Sequence, residues 1–332
     1  MAHKAPGKHH REGMSLTKLF KTFPDDASAE KWFTEERWPE GPHCPHCGSV
    51  NVLSGAKHKT MPYRCREKEC RKRFSVRTGT CMEASNLGFQ VWAVAIYLMS
   101  TSLKGVSSMK LHRDLEITQK SAWHLAMRLR KALEDDGIDL PFAGPVEADE
   151  TYIGGKRKNM SKKKRRELKE AGAGRGTVGK EAVVGVKDRE TNQVRATVVP
   201  VTDIPHVAGF VAAQTKNGAT VYTDEAKVYN ALKPFFDHEA VNHSVGEYVR
   251  DMAHTQGMES FWSLLKRGYQ GIYHKMSPKH LDRYVTEFAH RHNIRNQDTI
   301  DQMNDVLRGM IGKRLPYKAL KADNGLSSGA RS

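Results

Sequence analysis

The sequence predicts a multi-domain protein in which a small cysteine-rich module and a helical region precede an α/β domain. Three observations predict this architecture: close cysteine pairs within residues 1–83, apolar residues at helical spacing within residues 84–140, and strand-like patterning within residues 141–317. A chain of 332 residues is long enough for two or three such domains. Residues 318–332 are rich in Gly, Ser, Lys and Ala and are predicted to form a flexible tail.

The charge of the chain predicts a polyanionic partner. Lys and Arg number 54 against 38 Asp and Glu, and this formal net charge of +16 favours nucleic acid or an acidic membrane surface. No apolar run approaches the ~20 residues that span a bilayer, so no membrane-spanning helix is expected. Of the two candidate partners, nucleic acid and not a membrane is the expected one. Residues 1–13 are basic and are followed by no apolar segment, so no secretory signal is expected.

Two close cysteine pairs predict a metal site. Cys44 and Cys47 form the first pair, Cys65 and Cys70 form the second, and 17 residues separate the pairs. Two pairs on two turns can supply the four thiolates of a tetrahedral Zn²⁺ site, and a segment this poor in apolar residues needs such a staple to fold. The spacing therefore predicts a zinc ribbon with a structural Zn²⁺, the alternative being four unrelated cytosolic thiols. Three neighbouring histidines could substitute as ligands: His43, His46 and His58.

The surroundings of these cysteines are strongly basic, and a cationic surface of this kind suits contact with phosphate. The basic residues are Lys57, Lys59, Arg64, Arg66, Lys68, Arg71, Lys72, Arg73 and Arg77. A solvated surface would also carry charge, but it would usually mix the two signs. Cys81, the fifth cysteine, is predicted to be a small buried residue.

Residues 84–140 are predicted to be helical. The apolar segment 87–103 predicts one helix, a short helix around Leu111 follows the turn at 105–108, and Thr118 is a typical N-cap for a helix that continues to Leu133. A short helix, a turn and a helix with a basic end resemble a helix-turn-helix, which would bind DNA. A plain helical connector is an equally good interpretation, because the pattern is common in helical domains.

After residue 141 the pattern changes to strands alternating with helices, which matches the ribonuclease-H-like order of a mixed sheet with flanking helices. The strand-like segments are 146–153, 182–186, 194–201 and 220–223, with a further strand starting at 240–241. The helical segments are 205–214, 226–232 and 255–266.

Three carboxylates in this domain predict a divalent-cation site. Asp149 interrupts a strand-like run, Asp224 ends a predicted strand, and Glu259 lies on a predicted helix two turns before Lys266, on the same face. Converging carboxylates would repel one another unless they bound cations, and Mg²⁺ or Mn²⁺ suits such oxygen ligands. Taken singly, each acid is equally well explained as a turn residue or as a solvated charge on a helix.

Asp149, Asp224 and Glu259, with a Lys seven residues beyond the Glu, resemble the DDE-plus-Lys pattern of transposases and retroviral integrases. More closely, the chain resembles the ISXO-type insertion-sequence transposases of bacteria, over nearly its whole length. The blocks that carry this resemblance are residues 23–25 with 37–48, residues 147–156, residues 222–224, and residues 259–268 with 273–274.

The resemblance implies a catalytic domain that cleaves DNA strands at element ends and joins the 3′-hydroxyl ends to target DNA with two metal ions. Asp149, Asp224 and Glu259 would be the catalytic residues and the ligands of Mg²⁺ (or Mn²⁺). The partners would be element ends and target DNA, bound by a homo-oligomer on paired ends in the cytoplasm of a bacterium, in association with the nucleoid. A zinc-ribbon DNA-binding regulator with a non-catalytic second domain and a nuclease that cuts without joining are the alternatives.

Gln256 lies one helical turn before Glu259, so either side chain could be the third metal ligand. We favour Glu259, because a carboxylate binds Mg²⁺ better than an amide does.

Residues 156–180 form a basic insert with eleven Lys or Arg, two Glu and four Gly. This composition predicts a hairpin-like or partly disordered arm that contacts DNA, the alternative being a solvated linker. The DNA-binding residues predicted from this insert and from the last helix are Lys156, Arg157, Lys158, Lys162, Lys163, Lys164, Arg165, Arg166, Lys266 and Arg267.

Overall fold

The computed structural model describes residues 11–134, 140–155, 160–170, 179–241 and 254–326. The chain divides into two compact units. The first contains the residues up to Glu134 together with Ile294–Ala322, and the second is built around Asp135–Asn293. In the described ranges, no helix is both long enough and apolar enough to cross a membrane.

The first unit begins with two helices, α1 (Leu16–Thr22) and α2 (Asp26–Arg37). Asp25 caps α2, because its side chain accepts the backbone N–H of Ser28 at 2.8 Å and so satisfies one of the donors that a helix start leaves open. Ala29 and Phe33 of α2 are buried in the core of this unit.

A small antiparallel sheet follows, formed by β1 (Val52–Leu53), β2 (Tyr63–Cys65) and β3 (Arg73–Phe74) in the order β1-β2-β3. Strands of two and three residues bury little apolar surface, so this sheet depends on its surroundings. Cys65 and Phe74 belong to the same buried core as Phe33 of α2.

Three helices complete this part of the unit: α3 (Phe89–Thr101), α4 (Ser108–Asp114) and α5 (Gln119–Ala132). They lie where the sequence predicted them, and the hydroxyl of Thr118 accepts the N–H of Ser121 at the start of α5. Residues 84–134 and the ribbon share one compact unit, so the predicted boundary at residue 83 does not separate two compact bodies.

The second unit is a five-stranded mixed sheet in the order β6-β5-β4-β7-β8. β4, β5 and β6 pair antiparallel, whereas β7 runs parallel to β4 and β8 runs parallel to β7. The strands are β4 (Val146–Ile153), β5 (Glu181–Asp188), β6 (Val194–Val199), β7 (Thr220–Asp224) and β8 (Asp237–Val241). The predicted strands are confirmed, and the last begins three residues earlier than expected.

Helices flank this sheet. A π-helical turn (Ile204–Ala208) leads into α7 (Gly209–Gln214), and a 3₁₀ helix (Lys227–Leu232) follows β7. Val207, Val211 and Tyr229 from these segments are buried in a core with the apolar residues of the strands. Helices α8 (Gln256–Gly268) and α9 (Pro278–Asn293) also contact the sheet, α8 at β4 and β5 and α9 at β6.

The basic insert contains α6 (Lys162–Glu170), where the sequence analysis expected a hairpin-like or partly disordered arm. Lys, Arg, Glu and Leu have high helix propensity, and Arg166 pairs with Glu170 across one turn at 3.6 Å, which explains the helix. The rest of the insert, residues 156–159 and 171–178, lies outside the described residues.

Ile294–Ala322 belongs to the first compact unit, although the sequence analysis extended the catalytic domain to residue 317. The reason is the apolar face of α10 (Thr299–Arg308), which is buried in the same core as α2 and α3. The amphipathic pattern of α10 predicts a helix but does not indicate which domain receives its apolar face.

The beginning of the predicted flexible tail is instead a short helix, α11 (Tyr317–Lys321). Leu320 on this helix is 2% exposed, so its burial holds the segment in place. Of the predicted tail 318–332, residues 327–332 lie outside the described residues.

Candidate active site and zinc ribbon

The four paired cysteines converge on one point. The Sγ atoms of Cys44, Cys47, Cys65 and Cys70 all lie within 4.8 Å of one another. Cys44 Sγ is 3.7 Å from Cys70 Sγ, and Cys47 Sγ is 3.6 Å from Cys65 Sγ. Zinc–sulfur bonds of about 2.3 Å in a tetrahedron would separate the sulfurs by about 3.8 Å. The four thiols therefore fit a structural Zn²⁺, and the histidine alternatives are not part of this cluster.

Most of the basic residues around the cysteines are exposed, as a phosphate-contacting surface requires. Arg77 is different, because it is only partly exposed and its guanidinium lies 3.9 Å from the centre of the Phe89 ring. It donates to the backbone carbonyls of Ser85 and Leu87 at 3.0 and 2.8 Å. Arg77 therefore stabilises the start of α3. Cys81 is 1% exposed, as the sequence predicted. Burial raises the pKa of its thiol to about 12, so the thiol stays protonated and unreactive.

In the second unit, the sheet brings three carboxylates together. Asp149 and Glu150 lie on β4, and Asp224 ends β7, which runs parallel to β4. One carboxylate oxygen from each of the three lies within 4.8 Å of the others. The structure thus unites Asp149 with Asp224, as predicted, and adds Glu150, which the sequence analysis did not select.

The three carboxylates of the cluster repel one another. Burial, together with repulsion from Glu150 and Asp224, raises the pKa of Asp149 to about 7, although hydrogen bonds to its charged form act in the opposite direction. Burial also raises the pKa of Glu150. Half-buried oxygen donors that repel one another are the ligand set that Mg²⁺ or Mn²⁺ takes, so these residues fit a divalent cation.

Tyr229 fixes the orientation of Glu150. The Tyr229 hydroxyl, which is fully buried, donates to Glu150 Oε2 at 2.6 Å. Burial, followed by the charge of Glu150, raises the Tyr229 pKa well above its ordinary value, so the hydroxyl keeps the proton that it donates. At Asp224, the backbone N–H of Ala226 donates to Oδ1 at 3.0 Å.

A groove borders the carboxylate cluster. Glu259 lines this groove but is not part of the three-carboxylate cluster. The groove has a volume of about 440 Å³ and is lined by Asp149, Glu150, Thr151, Glu259, Trp262, Ser263, Lys266, Arg267 and Gln270. Glu259 and Lys266 both face it, as their seven-residue spacing predicted. Gln256 is exposed and is not among the described residues that line the groove.

Trp262 connects the helix α8 to the carboxylate cluster. Its indole Nε1–H donates to Asp149 Oδ2 at 3.0 Å, and the side chain is 3% exposed. Gly185, which pairs with Asp149 across the sheet, makes room for it, since a Cβ there would lie 2.8 Å from the indole. The glycine and the tryptophan together hold one oxygen of Asp149 in a fixed direction.

Replacing Trp262 with Phe is expected to weaken divalent-cation binding at the carboxylate cluster by roughly tenfold or more. The reason is that Phe keeps an aromatic ring but cannot donate to Asp149. Gly185→Ala should change the metal affinity in the same direction, because it displaces the indole. Calorimetric titrations with Mg²⁺ or Mn²⁺ would measure both effects, with thermal melting as the control for folding. An unchanged metal affinity in Trp262→Phe would remove this hydrogen bond from the site.

Glu147 fixes the start of α8 against β4. Its carboxylate is 2% exposed, accepts Arg189 Nε at 2.9 Å and accepts the backbone N–H of Met258 at 3.0 Å. Arg189 also donates to the carbonyl of His254 at 2.6 Å. Removing one partner of a buried ion pair costs roughly 3–5 kcal/mol, so this contact sets the position of α8 strongly.

The predicted DNA-binding residues divide into three groups. Lys266 and Arg267 are exposed and line the groove. Lys162, Lys163, Lys164, Arg165 and Arg166 lie on α6, and the side chain of Lys164 is outside the described part of the structure. Lys156, Arg157 and Lys158 lie outside the described residues altogether.

Two segments of the chain match known protein families. Residues 24–73 match the transposase zinc-ribbon domain, and residues 141–293 match the ISXO2-like transposase domain. The protein thus combines a transposase zinc ribbon with a DDE transposase domain, and its resemblance to the ISXO-type insertion-sequence transposases is confirmed.

A relative covers both of these domains. The chain is 26% identical, over 296 residues, to an uncharacterized protein in transposable element ISH50 of Halobacterium salinarum. The matched region spans 86% of this chain and 97% of that protein.

Proposed function

We propose that this protein is a transposase that binds insertion-sequence ends, cleaves DNA strands there and joins the 3′-hydroxyl ends to target DNA. The observation that carries the proposal is the cluster of Asp149, Glu150 and Asp224. Two members of this cluster, Asp149 and Glu150, line a groove with Glu259 and Lys266. This groove lies within the domain that matches the transposase family.

The proposed domain class is ribonuclease-H-like. Three antiparallel strands followed by two parallel ones, in the order β6-β5-β4-β7-β8 with helices packed on the sheet, support this assignment. The carboxyl end of β7 lies beside the middle of β4, which explains why Asp149 and Asp224, 75 positions apart in sequence, reach one site.

Asp149, Asp224 and Glu259 are the proposed catalytic carboxylates, which would hold two divalent cations, Mg²⁺ or Mn²⁺. When bound, such cations activate the attacking oxygen and stabilise the leaving one. Trp262 orients Asp149 through its indole N–H, and Tyr229 orients Glu150 through its hydroxyl. The ammonium of Lys266 is placed to hold a DNA phosphate on the face of α8 that also carries Glu259.

DNA binding is proposed for three basic surfaces: the exposed face of the zinc ribbon, the insert 156–180, and Lys266 with Arg267. A net charge of +16 supports a partner with many phosphates. Assembly as a homo-oligomer on paired ends, and work at the bacterial nucleoid in the cytoplasm, are proposed as parts of the same function.

Glu259, and not Gln256, is the proposed third ligand. Glu259→Gln is therefore expected to lose both cleavage and joining, whereas Gln256→Ala should only reduce the rate. The two residues are one turn apart on α8, so Gln256→Ala is a matched control for any change in the helix itself. Rates on DNA with element ends would measure the difference. An active Glu259→Gln and an inactive Gln256→Ala would mean that the amide is the ligand.

A strand-transfer assay tests the function as a whole. A supercoiled plasmid that carries element ends is incubated with the protein, target DNA and Mg²⁺, and the products are separated on gels. Joined products are the expected result. Cut ends without joining would indicate a nuclease, and bound but intact DNA would indicate a regulator with a non-catalytic domain.

A further inference from the structure

The first compact unit contains a second groove, separate from the carboxylate site. Its volume is about 510 Å³, and it lies between residues 83–87, one face of α5 and residues 314–317. The sequence analysis did not select this groove, because residues 314–317 reach it only when Ile294–Ala322 packs into the first unit.

One face of α5 gives the groove a basic stripe. Lys120, His124 and Arg128 are four residues apart and therefore lie on one side of the helix, and all three line the groove. Burial lowers the pKa of His124, so this ring is neutral near pH 7. Lys120 and Arg128, at the two ends of the stripe, carry its positive charge.

Arg128 is a buried cation. It is 7% exposed, and its guanidinium donates to the backbone carbonyls of Glu83 and Leu315 at 3.2 and 3.3 Å. It also contacts the ring of His124. Among the residues that the structure describes, it forms no ion pair. A charged group in this position is stabilised by an anion that enters the groove.

The acidic side chain that lines the groove is already engaged. Glu83 Oε1 pairs with Arg314 at 3.2 Å, and Glu83 Oε2 accepts the backbone N–H of Gly79 at 2.8 Å. Glu83 is therefore paired directly with Arg314 and acts on Arg128 only through space. Much of the positive charge of Lys120 and Arg128 stays available to a ligand.

An aromatic ring lies beside the stripe. The Lys120 ammonium is 4.8 Å from the centre of the Tyr317 ring, and the His124 ring packs against Tyr317 at 5.3 Å. Tyr317 is half-buried, so part of its surface stays accessible. Basic residues next to an accessible aromatic ring are typical of surfaces that follow a nucleic-acid backbone.

The length of the stripe favours a DNA backbone over a single phosphate ion. Eight residues of α-helix span about 12 Å, and one DNA strand carries a phosphate about every 3.4 Å along the axis. We propose that this groove binds the phosphate backbone of DNA through Lys120 and Arg128, with Tyr317 against the sugar–phosphate chain. The proposal rests on the proposed function, because it takes DNA as the partner.

The test compares the salt dependence of DNA binding between the full-length protein and two variants. Fluorescence anisotropy with a short mixed-sequence DNA duplex gives the affinity between about 50 and 200 mM salt. Lys120→Gln should lower affinity several-fold and reduce the slope of log affinity against log salt by about 0.9, the value for one lost phosphate contact. Arg128→Lys should also weaken binding, because Lys cannot reproduce the guanidinium fork.

Lys21→Gln is the matched control, since Lys21 is an exposed lysine of the same unit that does not line the groove. It should bind DNA as the unaltered protein does. Thermal melting shows whether Arg128→Lys folds, and Lys120→Gln changes an exposed side chain, so it tests the proposal even if Arg128→Lys is unstable.

The outcomes separate this proposal from the proposed function. One outcome is unchanged affinity and slope in Lys120→Gln, with salt-dependent binding by the unaltered protein. It would overturn the proposal that this groove binds DNA and would leave the proposed transposase function intact. No DNA binding by the unaltered protein would overturn both. Uptake of inorganic phosphate in equilibrium dialysis, lost in the variants while DNA binding is unchanged, would identify a free-phosphate site instead. Tighter binding of a matched RNA duplex would also overturn the proposal.

Discussion

Replacing Asp149 or Asp224 with Asn is expected to abolish DNA cleavage while DNA binding persists. The two side chains lie in one cluster with Glu150, at adjacent strands of the sheet. Asn keeps the shape of Asp but lacks the negative charge that a divalent cation needs, so the cation should be lost. The basic surfaces that are proposed to bind DNA are unaltered. Gel assays of plasmid cleavage and anisotropy of labelled DNA would measure the two properties separately.

Glu190→Gln is the matched control for these variants. Glu190 is an exposed carboxylate in the turn between β5 and β6 of the same domain, outside the groove. It should cleave at the normal rate. If Asp149→Asn or Asp224→Asn also cleaved normally, that residue would have to be removed from the proposed site.

Replacing Cys44 or Cys65 with Ser is expected to release zinc and unfold residues 43–80. The two cysteines are 0% and 1% exposed, and the strands around them have only two or three residues. Zinc binding to small domains of this kind is worth roughly 10–16 kcal/mol at neutral pH, which is their folding free energy. Elemental analysis would measure the zinc, and hydrogen exchange of residues 43–80 would measure the loss of structure.

Cys81→Ser is the control for the zinc prediction, because Cys81 is also buried but is not part of the four-cysteine cluster. It should keep its zinc and its protected ribbon. Purified unaltered protein without zinc would contradict the prediction. The buried cysteines share a core with Phe33 of α2, so loss of zinc should also lower the stability of the neighbouring helices.

Much of the secondary structure followed from local sequence. Alternating apolar residues predicted β4 to within a residue, and Thr118 predicted the start of α5, because a strand period and a helix cap are local properties. The cysteine spacing likewise predicted the four-thiol cluster. Asp149 stood out because a charge within a strand conflicts with the pattern around it.

The partners of those residues needed the tertiary structure. Glu150 joins Asp149 and Asp224 only because β7 pairs beside β4, and Trp262 reaches Asp149 only because Gly185 on β5 leaves space for the indole. One sequence signal was available for Glu150, its position next to Asp149, but it does not distinguish a site residue from a solvated one.

The sequence by itself determined the strands of the second unit, the four clustered cysteines and the two aspartates, because period, cap and spacing are encoded within short segments. Only the tertiary structure decided that Ile294–Ala322 packs into the first unit and brings Tyr317 to the second groove. The apolar face of α10 can be recognised in sequence, but the surface that buries it is formed by α2, α3 and α5, which lie more than 160 residues earlier in the chain. Long-range packing therefore decided what local patterns left open.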